Sequence, residues 1–183
     1  MKIGIIIGST RDNRMGASVG EWVMAQTEGR TDATYELVDL ADYNLPMLTT
    51  AMPPVMLNGQ YAADVQPWAD KIAEFDGFVF VTPEYNHGVP AAFKNAVDQI
   101  AGEWMKKAVG FVGYGYAGGI LAVENWRTIL ANFNIYDIRN NVGISLVTDV
   151  KDGALAPAEY HLAEVKDLFD TLIPAATAMA TLR

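Results

Sequence analysis

Three segments combine residues able to hold a ligand, and each follows a short apolar run. The first is Gly8-Ser9-Thr10-Arg11-Asp12-Asn13-Arg14-Met15-Gly16, after Ile3 to Ile7. Glycine lets the backbone turn and expose its N–H groups. Hydroxyls and the start of a following helix add donors and positive potential, and arginine adds a forked permanent cation. That combination suits a phosphate monoester. The bland alternative is a polar turn with an ordinary Ser/Thr helix cap. Neither Gly-x-x-x-x-Gly-Lys-Ser/Thr nor Gly-x-Gly-x-x-Gly occurs in this loop.

The second segment is Thr82-Pro83-Glu84-Tyr85-Asn86-His87-Gly88-Val89-Pro90, leading into Ala91 to Asp98. Two prolines stiffen it and restrict the residues before them. A stiff loop can present fixed backbone donors to the edge of a planar ring, and Tyr85 and Asn86 add a flat surface and an amide. The alternative is a rigid connection with Glu84 and Asn86 in solvent. His87 has no partner motif and reads as an ordinary loop residue. Lys94 and Asp98 are spaced as a structural helical pair.

The third segment, Gly113-Tyr114-Gly115-Tyr116-Ala117-Gly118-Gly119, contains a literal Gly-x-Gly-x-x-Gly. With Asp137 beyond it, this suggests an NAD site. Topology argues otherwise: only one strand and one terminal helix remain after the loop, too little for a Rossmann half. Close backbone approach to a ring seated by the other two loops explains the glycines better.

The elements that position these loops follow from hydrophobic pattern. Apolar runs occur at Ile3 to Ile7, Tyr35 to Val38, Phe78 to Val81 and Val109 to Val112. A fifth joins Ile135 to Ile138 and Ile144 to Val147, with a turn expected at Asn140-Asn141. Helical spacing separates the runs, as in Val19, Trp22, Val23 and in Val65, Trp68, Ala69, Ile72. A last helix spans Leu162 to Leu172, with Pro157 in its first turn and Pro174 ending or kinking it. Alternating strands and helices imply a parallel sheet covered on both faces. Leu45 to Gln60 fits no element; rich in Met and Pro, it is expected to pack on something.

The chain has 183 residues, 51% hydrophobic and 19% charged, which suits one globular domain over 1–183. Thirteen basic against 22 acidic residues give a net charge of −9. That acidity disfavours sequence-independent nucleic-acid binding. With no cysteine, disulfides, thiolate catalysis and cysteine-held metal sites are excluded. The first apolar run is too short for a membrane span or a signal peptide, so a cytoplasmic location is the default.

Taken together, the three loops resemble the NADPH-dependent FMN reductase family. The matching residues are Gly8-Ser9-Thr10-Arg11; Thr82 to Gly88 with Pro90 and Lys94-Asn95-Ala96-Val97-Asp98; and Tyr114 to Gly119. The resemblance runs from Met1 to about Val147, and Pro83-Glu84-Tyr85-Asn86 is its most specific part. It implies an α/β fold, flavodoxin-like, with a doubly wound five-stranded parallel sheet of order 2-1-3-4-5. Ser9 and Arg11, with Arg14, Met15 and Gly16, would hold the FMN phosphate. Pro83, Glu84, Tyr85 and Asn86 would meet the isoalloxazine edge, and Tyr114, Gly115, Gly118 and Gly119 would border the ring. No Arg follows the glycine pair, where Ile120-Leu121 stand, and Gly113 replaces a frequent Ser.

The implied activity is hydride transfer from NAD(P)H through FMN to a flavin, quinone or similar acceptor, with no catalytic side chain and no metal. A homodimer or homotetramer is implied, with Leu45 to Gln60 a candidate contact. Two other readings compete: a non-enzymatic electron carrier of the flavodoxin type, and an NAD-dependent dehydrogenase using the Gly113 loop.

Overall fold

A computed structural model describes residues 1–183. The apolar runs form five parallel strands: β1 (Lys2–Ile7), β2 (Thr34–Asp39), β3 (Gly77–Pro83), β4 (Ala108–Gly115) and β5 (Tyr136–Ser145). They lie in the order β2-β1-β3-β4-β5. Every residue of β3 and β4 is buried, as continuous apolar strands covered on both faces require. Helices α1 (Met15–Ala25) and α5 (Tyr160–Ala180) cover one face. Helices α2 (Gln66–Ala73), α3 (Ala91–Asp98) and α4 (Ile120–Leu130) cover the other, where the core is aromatic. Phe80 sits at its centre, with Phe93 at 4.5 Å and Trp126 at 5.4 Å between ring centroids. This is a flavodoxin-like fold. No helix is long and apolar enough to cross a membrane.

Three local expectations are corrected. No turn forms at Asn140-Asn141: β5 runs through it, and a register shift opposite Val109 to Phe111 absorbs the irregularity. Of the two outcomes expected at Pro174, an end does not occur: α5 runs on to Ala180, with Ala176 beyond the proline buried. Packing of that face outweighs the local cost of proline. Pro157 precedes the helix, which starts at Tyr160. Between β5 and α5 lies an antiparallel hairpin, β6 (Val150–Lys151) and β7 (Ala154–Leu155). Its turn residues Asp152 and Gly153 have φ of 51° and 78°.

Asp149 ties this hairpin to the sheet. It is fully buried and accepts the N–H groups of Ser145 and Ala158, both at 2.9 Å. His161 faces it at 3.3 Å and Glu164 at 2.7 Å. Burial pushes the Asp149 carboxyl up, but the Ala158 and Ser145 donors and His161 together hold it below the ordinary range. A carboxylate with a depressed folded pKa contributes stability above its unfolded value, about 3.9. That contribution is lost as pH falls through the folded value. Asp149→Asn is therefore expected to cost about 1–3 kcal/mol at pH 7 and less at pH 3. Urea unfolding at both pH values checks this; an equal loss at both would contradict it.

Candidate active site

In a doubly wound sheet, ligands bind beyond the C-terminal ends of the strands, where the order reverses. Here β1 and β3 lie side by side at that reversal, and the loops after β1, β3 and β4 open there around a cleft of about 250 Å³. From the first loop, Ser9, Arg11, Arg14 and Met15 line it. Pro83, Glu84 and Tyr85 come from the second, and Tyr114 and Gly115 from the third.

The first loop offers unused donors. The backbone N–H groups from Ser9 to Arg14 find no backbone acceptor in the protein. They run into the N-terminus of α1, whose cap residue Arg14 provides no side-chain hydrogen bond. Such a run of free N–H groups at a helix start is an anion-binding arrangement. Ser9 is 1% exposed, and its hydroxyl lies 2.9 Å from that of Tyr85. The two arginines differ. Arg14 is ion-paired through its terminal nitrogen with Asp39 at the end of β2, while its buried Nε has no hydrogen-bond partner. Arg11 forms no ion pair and stands over the Tyr85 ring at 5.7 Å. It is the unneutralised cation of the cleft.

The second loop is fixed from several sides. Trp126 Nε1 donates to Thr82 Oγ1 at 3.0 Å, and Glu84 N–H donates to the Tyr114 carbonyl at 3.0 Å. The Glu84 carboxylate accepts the N–H of Leu121 at 2.9 Å, in the first turn of α4. Tyr85 and Gly88 exchange two backbone hydrogen bonds of 3.0 Å around Asn86 and His87, whose φ values are 52° and 65°. Asn86 thus occupies an exposed turn and does not line the cleft.

The third loop folds back on its own strand. A Cβ on Gly119 would lie 2.5 Å from the Tyr114 nitrogen, and one on Gly113 2.8 Å from the Gly118 carbonyl oxygen. Both Gly118 and Gly119 have φ of 71°. Their glycines are needed for backbone-to-backbone packing, and neither lines the cleft. Asp137 pairs with Arg127 at 2.7 Å, which uses the acid that a dinucleotide reading would assign to a ribose.

Tyr114 lines the cleft but is largely buried. It is 5% exposed, packed with Val112 on the α1 side of the sheet. Its hydroxyl is buried without a hydrogen-bond partner, where a Cβ on Gly16 would come within 2.4 Å. Gly16 itself is buried and does not line the cleft. Strand parity was the available signal: Tyr114 must face as Val112 does.

Asp12, Asn13, Tyr116 and Leu146 complete the lining. Asp12 and Asn13 belong to the first loop but carry no distinguishing side-chain chemistry. Leu146 follows β5, and its N–H donates to the Gly115 carbonyl at 2.9 Å. Beside the cleft, Asn95 clamps the start of the Met/Pro segment, accepting from Leu48 N–H at 2.9 Å and donating to the Pro46 carbonyl at 2.8 Å. Beyond that clamp, Met47 is 70% and Met56 59% exposed, so much of this segment is not packed within the chain.

Residues 1–149 match the NADPH-dependent FMN reductase family, and the chain belongs to it. It is 35% identical over 173 residues to an NAD(P)H-dependent FMN reductase of Schizosaccharomyces pombe, covering 92% of this chain and 86% of that one. It is 34% identical over 140 residues to the NAD(P)H-dependent FMN reductase LOT6 of Saccharomyces cerevisiae, covering 71% and 73%. Among solved structures, the flavoenzyme NAD(P)H:(acceptor) oxidoreductase FerB of Paracoccus denitrificans superposes with a TM-score of 0.73 at 20% identity, covering 97% and 98%. That last likeness is one of fold.

Proposed function

We propose that this cleft holds FMN and that the protein passes a hydride from NAD(P)H to a flavin, quinone or similar small acceptor. The observation that carries this reading is the first loop: unbonded N–H groups from Ser9 to Arg14, next to an arginine with no ion pair. Neutral N–H donors beside a single cation suit a phosphate group. They suit it against the net charge of −9, which would otherwise repel an anion.

Ser9 and Arg11 would hold the phosphate, and Arg14, through Asp39, would fix the loop that presents it. The chain from Pro83 to Tyr85 and Gly115 would border the ring. When bound, FMN supplies two-electron hydride chemistry at its N5 position. The protein supplies position: Glu84, by accepting the Leu121 N–H, locks the second loop to α4. Tyr116, 85% exposed at the mouth, offers an aromatic surface on the open side. A cytoplasmic homodimer or homotetramer belongs to this reading, with the exposed Met47, Met52, Val55 and Met56 in the subunit contact.

One open slot cannot hold nicotinamide and acceptor against the same ring face together. Steady-state kinetics with NADPH and a quinone should give parallel double-reciprocal lines, the pattern of alternating occupancy. Intersecting lines would contradict a shared slot.

A further inference from the structure

The Tyr114 hydroxyl is buried and makes no hydrogen bond of good geometry, although Ser9, itself bonded to Tyr85, lies close by. Native proteins satisfy nearly all such groups, and an orphan calls for a specific explanation. Its surroundings supply one. The ring belongs to the buried cluster beneath α1 that also contains Val19, Val23 and Val112, so the hydroxyl cannot swing out to solvent without leaving that packing. Tyr114 lines the cleft. The hydroxyl meets the backbone at Gly16, in the first turn of α1, and a Cβ on Gly16 would also lie 3.4 Å from Ser9 Cβ. The orphan therefore lies at the point where Ser9 and the helix start present their own free donors.

We propose that Tyr114 is a phosphate ligand of this site, donating its hydroxyl proton to a phosphate oxygen from the floor of the cleft, and that it selects FMN over the unphosphorylated flavin. The inference rests on the FMN reading above. A phenol suits the role, since burial pushes its pKa well up and it remains a donor at all ordinary pH. Arg11 reaches the same anion from the exposed side, so the phosphate is gripped between an exposed cation above and a buried neutral donor below. Gly16 becomes a second requirement, since any side chain there would occupy the space the hydroxyl needs.

The test is equilibrium titration of the full chain with FMN and with riboflavin, read by quenching of flavin fluorescence. Wild type should prefer FMN. Tyr114→Phe should weaken FMN about 10-fold, a hydrogen bond to a charged group being lost, and leave riboflavin unchanged. Gly16→Ala keeps the phenol but displaces it, and should show the same selective loss. Thermal melts identify any variant that fails to fold, and the other variant then decides. Unchanged FMN affinity in a folded variant, or equal losses for both flavins, would overturn the role of Tyr114. Wild type binding neither flavin would instead overturn the FMN reading, and the inference with it.

Discussion

Replacing Arg11 by alanine is expected to weaken FMN binding by about 10- to 100-fold, the range for losing a charge-assisted contact to phosphate. Arg11 forms no ion pair and stands over the Tyr85 ring at 5.7 Å. Its removal leaves no buried partner stranded, so the folded protein should be nearly as stable as wild type. Arg14→Ala gives the contrast. That side chain is held by Asp39, and its loss should reduce stability more than flavin affinity. Fluorescence titration with FMN and a urea melt on both variants would show the two effects separated. Equal flavin losses would mean that Arg14 leaves Asp39 to reach the phosphate.

The second large effect concerns stability. Gly119→Ala should cost about 3 kcal/mol or more, by adding backbone strain to a backbone overlap. Gly119 has φ of 71°, and its Cβ would lie 2.5 Å from the Tyr114 nitrogen and 2.8 Å from the Gly113 carbonyl carbon. Neither atom is the end of a flexible side chain, so α4 or the end of β4 must shift. Gly153→Ala is the control. Its φ is 78°, but nothing lies within 4 Å of the added Cβ, so only strain of about 1 kcal/mol is expected. Similar losses for the two variants in urea unfolding would show that overlap at Gly119 is relieved cheaply. Because Gly115 and Tyr114 share that loop, Gly119→Ala should also loosen flavin binding.

Much of the fold was legible because strand and helix periodicity are local properties of sequence. The five apolar runs became the five strands, and the spacing at Val65, Trp68 and Ile72 became α2. Errors arose where tertiary packing outweighed a local signal. Pro174 marked a helix stop or kink, yet the helix does not stop there, and burial of Ala176 accompanies its run to Ala180. Asn140-Asn141 marked a turn, yet pairing with β4 carried β5 across it. The β6–β7 hairpin is two residues a strand, too short for a pattern.

At the site, residue type was informative and direction was not. Ser9, Arg11 and Tyr85 stand out in the sequence because phosphate and ring chemistry limit the choice of side chains, and the three line one cleft. The pairing of Arg14 with Asp39 was hidden, since it needs the knowledge that β1 and β2 are neighbours. The glycines of the third loop suggest close approach of a ligand ring, and at Gly118 and Gly119 the atoms that approach are the protein's own backbone. A glycine motif states that something approaches closely, without stating what.

The most direct test is an absorbance spectrum of the purified protein, incubated with excess FMN, desalted, and then mixed anaerobically with NADPH. A flavin band should survive desalting and bleach at once on adding the nicotinamide. A retained band that neither NADPH nor NADH bleaches would contradict the reductase account and favour an electron carrier.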